Sequence, residues 1–198
     1  GQLPSEPLLR PILPTGGRYA VLREFTIRER LVDKWGGMTA LLHAARQGHV
    51  EAVMALLDAG ADINQPSGGD GSSPLLVAAL SGHFDLAMLL IERGADPNIA
   101  TSTEGIAPLF AVINTQFAPM SLPQVRAHEQ QQAQYLQVMG ALLEAGANPN
   151  VRLRTHLWYL EYGRTRLGVD MTGATPFWRA AFAHDVEALR LLASFGAD

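Results

Sequence analysis

The chain contains no cysteine. Disulfides and thiolate metal sites are therefore excluded. The absence leaves the compartment open, because a cysteine-free chain suits both the cytosol and an oxidising periplasm. Charge is also sparse: Asp, Glu, Lys and Arg make up 17% of the residues, and the net charge is only -4. A weakly acidic chain exerts no global attraction on nucleic acid or on an anionic membrane. No stretch reaches the roughly 18 apolar residues that a spanning helix needs, so membrane insertion is not expected. What the chain does have is apolar material, 47% of its 198 residues. That composition argues against disorder, and the length suits one domain or two small ones.

One phrase recurs four times. It reads Gly60-Ala61-Asp62-Ile63-Asn64, Gly94-Ala95-Asp96-Pro97-Asn98, Gly146-Ala147-Asn148-Pro149-Asn150 and Gly196-Ala197-Asp198. Each copy follows an apolar run, such as Ala55-Leu56-Leu57 or Leu189-Arg190-Leu191-Leu192. A second phrase precedes each run: Thr39-Ala40-Leu41, Ser73-Pro74-Leu75, Ala107-Pro108-Leu109 and Thr175-Pro176-Phe177. From that phrase to the glycine is 21 residues in three units and 39 in the third. The chain starts at Gly1 with no methionine or leader and stops inside the recurring phrase. It therefore reads as part of a longer protein.

Each unit predicts two short helices. Thr or Ser followed by Pro is a good helix start, because the hydroxyl caps a free N–H and proline suits the first turn. Gly48-His49 and Gly82-His83 end the first helix. Ala44-Ala45, Ala78-Ala79 and Ala180-Ala181 let helices approach closely. The glycine of the recurring phrase falls past the second helix, where a left-handed backbone is cheap only for glycine. Val50, Val53, Met54, Leu56 and Leu57 fall at helical spacing, so each pair has apolar faces it cannot bury alone. The units must stack, and stability becomes a sum of unit and interface terms. Leu189 and Leu192 then leave the last unit with an open face, which calls for a further repeat or a cap.

These phrases, with a first period of 34 residues, resemble the ankyrin repeat. The resemblance covers about residues 33–198. It implies an all-α solenoid of helix-turn-helix units with short β-turn fingers, divided at about 33–66, 67–100, 101–151 and 152–198. The wording of Trp35 to Ala45 and of Thr175 to Ala181 resembles bacterial ankyrin-repeat proteins. Where the family places His after its Thr-Pro-Leu phrase, this chain has Leu42, Leu76, Phe110 and Trp178. The loop ties that the family histidine makes are therefore in doubt, and apolar packing is the expected substitute.

Residues 1–32 carry Pro4, Pro7, Pro11 and Pro14, then Val21, Leu22, Phe25, Leu31 and Val32. They read as an extended segment followed by a capping helix, too small for a core of their own. Two inserts interrupt the repeat. The excess in unit three falls around 115–132 and predicts a Pro-bearing loop and a second helix lengthened at its start. The alternative there is a disordered glutamine tract. The junction 151–170 is longer than its equivalents and holds Trp158, Tyr159, Tyr162, Arg164 and Arg166. Trp, Tyr and Arg dominate binding hot spots, which makes this finger a candidate contact patch. Packing of Trp158 and Tyr159 onto unit three is the competing reading.

No catalytic or metal constellation is predicted. The six histidines show no metal-helix spacing, and no nucleophile motif occurs. Gly68-Gly69-Asp70-Gly71 lacks what a phosphate cradle needs and reads as a turn. The resemblance implies binding along a concave side of finger tips and first helices: Lys34, Trp35, Arg46, Gln47, Asp70, Leu80, Ser81, Glu104, Phe182 and His184. The expected function is a non-enzymatic protein-interaction module without cofactors. Its partner is another protein or another part of the parent chain, not nucleic acid. Two alternatives stand beside it. One is a ligand-binding or enzymatic pocket under the inserts, using His128, His156, Arg164 or Arg166. The other is a structural or assembly segment of a larger protein.

Overall fold

The computed structural model describes residues 37–117, 127–157 and 169–198. All lie in a unit spanning Trp35–Asp198. The expected N-terminal segment and capping helix, 1–32, lie outside the described residues. Four helix pairs follow in chain order: α1 (Ala40–Gln47) with α2 (Val50–Asp58), α3 (Pro74–Leu80) with α4 (Phe84–Glu92), α5 (Pro108–Phe117) with α6 (Tyr135–Glu144), and α7 (Pro176–Phe182) with α8 (Val186–Ser194). The first helices form one row, α1 on α3 on α5 on α7, and α4, α6 and α8 pack along the other side. Among the described residues there is no strand.

The local chemistry accounts for each boundary. Thr39, Ser73 and Thr175 accept through their hydroxyls from the N–H groups of Leu42, Leu76 and Trp178 at 3.3, 3.2 and 3.1 Å. Gly48 ends α1 in the left-handed region at φ 70°. At the equivalent place in unit four stands His184, held at φ 58°, the one non-glycine residue with positive φ among those described. The left-handed region costs an L-residue roughly 1–2 kcal/mol.

The core repeats its register. Leu42, Leu76 and Phe110, in the slot where the family has His, are fully buried. Apolar packing therefore occupies that slot in the first three units. Leu90, Leu142 and Leu192 are buried at one position of successive second helices. Burial of such a side chain stabilises by about 1.5–3 kcal/mol.

Asparagine joins the units. The first polar residue of each recurring phrase closes a local turn: Asp62, Asp96 and Asn148 accept from the N–H of Asn64, Asn98 and Asn150 at 2.8–2.9 Å. The last asparagine then reaches the next unit. Asn64 Oδ1 accepts from the N–H of Asp96, Asn98 Oδ1 from that of Asn148, and Asn150 Oδ1 from that of Asp198, at 2.8, 2.8 and 3.0 Å. Asn98 and Asn150 also donate through Nδ2 to the carbonyls of Gly146 and Gly196 at 2.9 and 3.0 Å. A second row runs through the fingers, where Gly68, Ser102 and Arg154 donate their N–H groups to the carbonyls of Gly37, Asp70 and Glu104.

The inserts differ from expectation in one respect. The second helix of unit three is lengthened at its start by only one residue: α6 has 10 residues against 9 in α2, α4 and α8. The glutamines form a 3-10 turn, Ala127–Gln130, and a bend instead. Asp85 explains the bend. Its carboxylate accepts from the N–H groups of Gln132 and Ala133 at 3.0 and 2.7 Å, while Gln131 Oε1 accepts from the N–H of Asp85. A helix through 131–133 would need those donors for itself. The glutamine side chain of Gln137 then satisfies the N–H of Gln134 at the start of α6, at 2.8 Å. Extra length appears in the first helix instead, since α5 has 10 residues against 8 in α1 and 7 in α3. Residues 118–126 and 158–168 lie outside the described residues.

Replacing Asn98 with Ala removes a donor and an acceptor between units two and three. The expected cost is about 1–2 kcal/mol, read as a lower urea midpoint with an unchanged slope.

Candidate interaction surface

Internal repetition separates packing from exposure. Three positions on each first helix change chemistry between units; they are exposed in unit one and half-buried in unit two, and they include the buried Ala111, Asn114 and Arg179 in units three and four. The first carries His43, Val77, Ala111 and Arg179; the second Arg46, Leu80, Asn114 and Phe182; the third Gln47, Ser81, Thr115 and Ala183. The buried slots between them stay apolar in every unit, whereas these positions change chemistry from unit to unit. In unit one, His43, Arg46 and Gln47 are exposed, and Leu80 and Ser81 are half-buried in unit two. His83 braces this edge by donating from Nε2 to the carbonyl of Arg46 at 3.1 Å. Its ring lies so close to Gly48 that a Cβ there would meet it at 2.5 Å.

The remaining expected contact residues fall into four groups. Asp70 is committed to its own finger: its carboxylate accepts from the Ser67 hydroxyl at 2.6 Å, and from the Ser72 N–H and hydroxyl at 3.0 and 2.7 Å. The Gly68–Gly71 turn is thus held from within by a charged acceptor. Glu104 is half-buried, accepts from the Thr103 hydroxyl, and takes the Arg154 N–H on its carbonyl. Phe182 lies stacked on Trp178, ring centroids 5.3 Å apart and 10° from parallel. Trp35, Trp158, Tyr159, Tyr162, Arg164 and Arg166, with Lys34, lie outside the described residues.

Sequence reasoning missed the centre of the third and fourth units. Arg179 is 1% exposed and donates from Nε to Asn114 Oδ1 at 3.1 Å and from Nη2 to the carbonyl of Phe117 at 2.9 Å. Its guanidinium also lies 5.9 Å from the Phe117 ring and 6.0 Å from that of Phe182, a distance at which cation and ring attract. These side chains fill the space between α5 and α7. The only signal available was an arginine inside a helix with aromatic neighbours, Phe177, Trp178 and Phe182.

A second polar link joins α6 to α8. The Tyr135 hydroxyl donates to Asp185 Oδ2 at 2.7 Å, and Asp185 Oδ1 caps α8 by accepting from the Ala188 N–H at 3.1 Å. Burial, followed by this bond and by the nearby charges of Asp185 and Glu187, holds the Tyr135 phenol well above the usual tyrosine range. At the base of the second insert, the Met171 N–H donates to His156 Nδ1 at 3.1 Å. Asp170 is held below the usual carboxylate range, first by the Thr172 N–H, then by its hydroxyl, with His156 a smaller cause. Among the described residues, no three His, Asp or Glu side chains gather as a metal site. No helix described is long and apolar enough to cross a membrane.

Stacked helix pairs with left-handed turn glycines and inter-unit turn bonds define a helical repeat solenoid. Residues 17–101 match the family model described as ankyrin repeats (3 copies), so the chain carries ankyrin repeats. The match begins ahead of residue 33 and takes in part of the segment read as a cap. Repeats of this family are generally protein-interaction modules. No curated protein matches the chain.

Arg179→Met strands two buried acceptors, and the expected loss is about 2–4 kcal/mol in chemical unfolding. Arg179→Lys restores only part of it, because a single ammonium does not reproduce the guanidinium fork. Tyr135 gives a pH signature. Its raised folded pKa leaves stability intact below about pH 10 and removes it as pH rises further, because the unfolded phenol ionises first. Thermal melts from pH 8 to 11 should show that decline in the wild type and a shallower one in Tyr135→Phe.

Proposed function

We propose that this chain is a non-enzymatic protein-binding module that works through the exposed edge of its first helices, at Arg46, Gln47 and Leu80, with Phe182 at the far end. The observation that carries this reading is the contrast within the repeat. The buried slots are apolar throughout units one to three, while the position at this edge reads exposed Arg46, half-buried Leu80, buried Asn114 and half-buried Phe182. A fold needs the uniform part; a specific partner needs the variable part. The hydrogen-bonded fingers and asparagine ties keep this edge preformed, which lowers the ordering cost of binding. On the same reading Glu104 and the finger residues Trp158, Tyr159, Tyr162, Arg164 and Arg166 extend the contact, and Trp35 flanks it. Asp70 acts from behind by fixing its finger.

The test is affinity capture followed by quantitative mass spectrometry, comparing wild type with Arg46→Glu/Leu80→Glu and with a control on the opposite helix row, Val50→Glu. Val50 is 41% exposed, so the control perturbs surface without touching the core. Proteins lost by the first variant and kept by the control identify ligands of this edge. Equal capture by both variants, with unchanged melting curves, refutes the assignment.

A further inference from the structure

Charge is divided between the two rows of helices. Among the described residues the first helices carry no acid; their basic residues are His43 and Arg46 in α1 and Arg179 in α7. The second helices carry Glu51, Asp58, Asp85, Glu92, Glu144 and Glu187 against one base, Arg190. Arg93, just past α4, lies 3.6 Å from Asp58. The finger acids Asp70 and Glu104 precede the first turns of α3 and α5, whereas Arg46 and Leu80 stand in the last turns of α1 and α3. The weak net charge of the chain therefore hides two rows of different sign.

Equivalent positions of α1 and α3 then differ in kind. Where α1 exposes His43 and Arg46, one turn apart, α3 has the half-buried Val77 and Leu80. In unit three these positions are the buried Ala111 and Asn114; in unit four Arg179 is buried on Asn114 and Phe182 is stacked on Trp178. Units one and two thus set a cationic pair beside an aliphatic pair. Among the described residues no carboxylate pairs with Arg46. Its backbone is held, since His83 donates to its carbonyl. An unpaired guanidinium on a fixed backbone offers a fork that matches a carboxylate.

We propose that the edge of units one and two takes an extended, acidic segment of a partner protein, with an Asp or Glu close to an aliphatic side chain. Packed helices lie about 10 Å apart and an extended chain rises about 3.3 Å per residue, so the step from Arg46 to Leu80 spans about three residues of that segment. The carboxylate meets Arg46, with His43 beside it, and the aliphatic side chain meets Leu80 and Val77. The acidic second row repels such a segment from the opposite side, which favours this edge on encounter. This chemistry rests on the first-helix edge being the contact surface, as proposed above.

Selection from a displayed library of random linear peptides tests this, with the wild type and Arg46→Glu as baits. The wild type should enrich peptides with an acid about three residues from an aliphatic side chain. Arg46→Glu should enrich a basic residue in the acid's place. A synthetic copy of the most enriched wild-type peptide should bind Arg46→Glu roughly tenfold more weakly, and changing its acid to Lys should restore binding to that variant. Binding of the original pair should weaken as salt rises, because an exposed ion pair is screened. Arg46 is exposed, so a melting temperature reports that the variant remains folded. Enriched peptides that are lost with Leu80→Glu but carry no acid overturn the acidic chemistry and leave the edge standing. Peptides indifferent to Arg46→Glu/Leu80→Glu overturn the edge as well, and a library with nothing enriched overturns the acidic segment alone.

Discussion

Everything in this molecule depends on apolar surface that no single helix pair can bury. A pair of helices of 7–10 residues has too little contact of its own to offset the entropy of ordering it. The solution is serial. Each pair presents one side to its predecessor and the other to its successor, and a leucine at the same place in successive second helices is fully enclosed. The hydrogen bonds are arranged around this burial. They fix the angle and register at which the surfaces meet, through the turns at one edge and the fingers at the other.

The inserts show how much deviation this plan tolerates. Unit three carries 18 extra residues between its phrases, yet α6 begins and ends much as α2 and α4 do. The extra chain leaves after α5 and is captured again by Asp85 of the preceding unit, just before α6. The junction between units three and four is reinforced differently, by a buried guanidinium between α5 and α7 and a phenol-carboxylate bond between α6 and α8. Both reinforcements occur where the simple repeat is interrupted. Polar side chains there supply specificity that apolar packing alone leaves loose.

Much of this was legible in the sequence because repetition converts a weak local signal into a strong one. The caps at Thr39, Ser73 and Thr175, the left-handed glycines and the buried leucines all follow from spacing and side-chain type. The α6 start was misread for a physical reason. Gln132, Tyr135, Leu136 and Met139 do fall at helical spacing, but the choice between helix and bend was made by Asp85, some 47 residues away in sequence. Arg179 was not legible either, because its acceptors, Asn114 and the Phe117 carbonyl, are brought to it only by stacking. The contact surface is the least legible part. An exposed side chain is shaped by what it will meet, and the partner leaves no trace in the spacing of the core.

The turn asparagines carry one more implication. Each repeat brings both halves of the inter-unit fastening: an amide that reaches forward, and a backbone N–H and glycine carbonyl that receive the amide from behind. Copying a whole repeat in tandem therefore leaves no junction bond unmade, and removing one lets its neighbours fasten to each other directly. Arrays of this kind can change length over evolutionary time without redesign of the junctions. His184, held in the left-handed turn where Gly48 and Gly82 stand in units one and two, is the departure from that interchangeability.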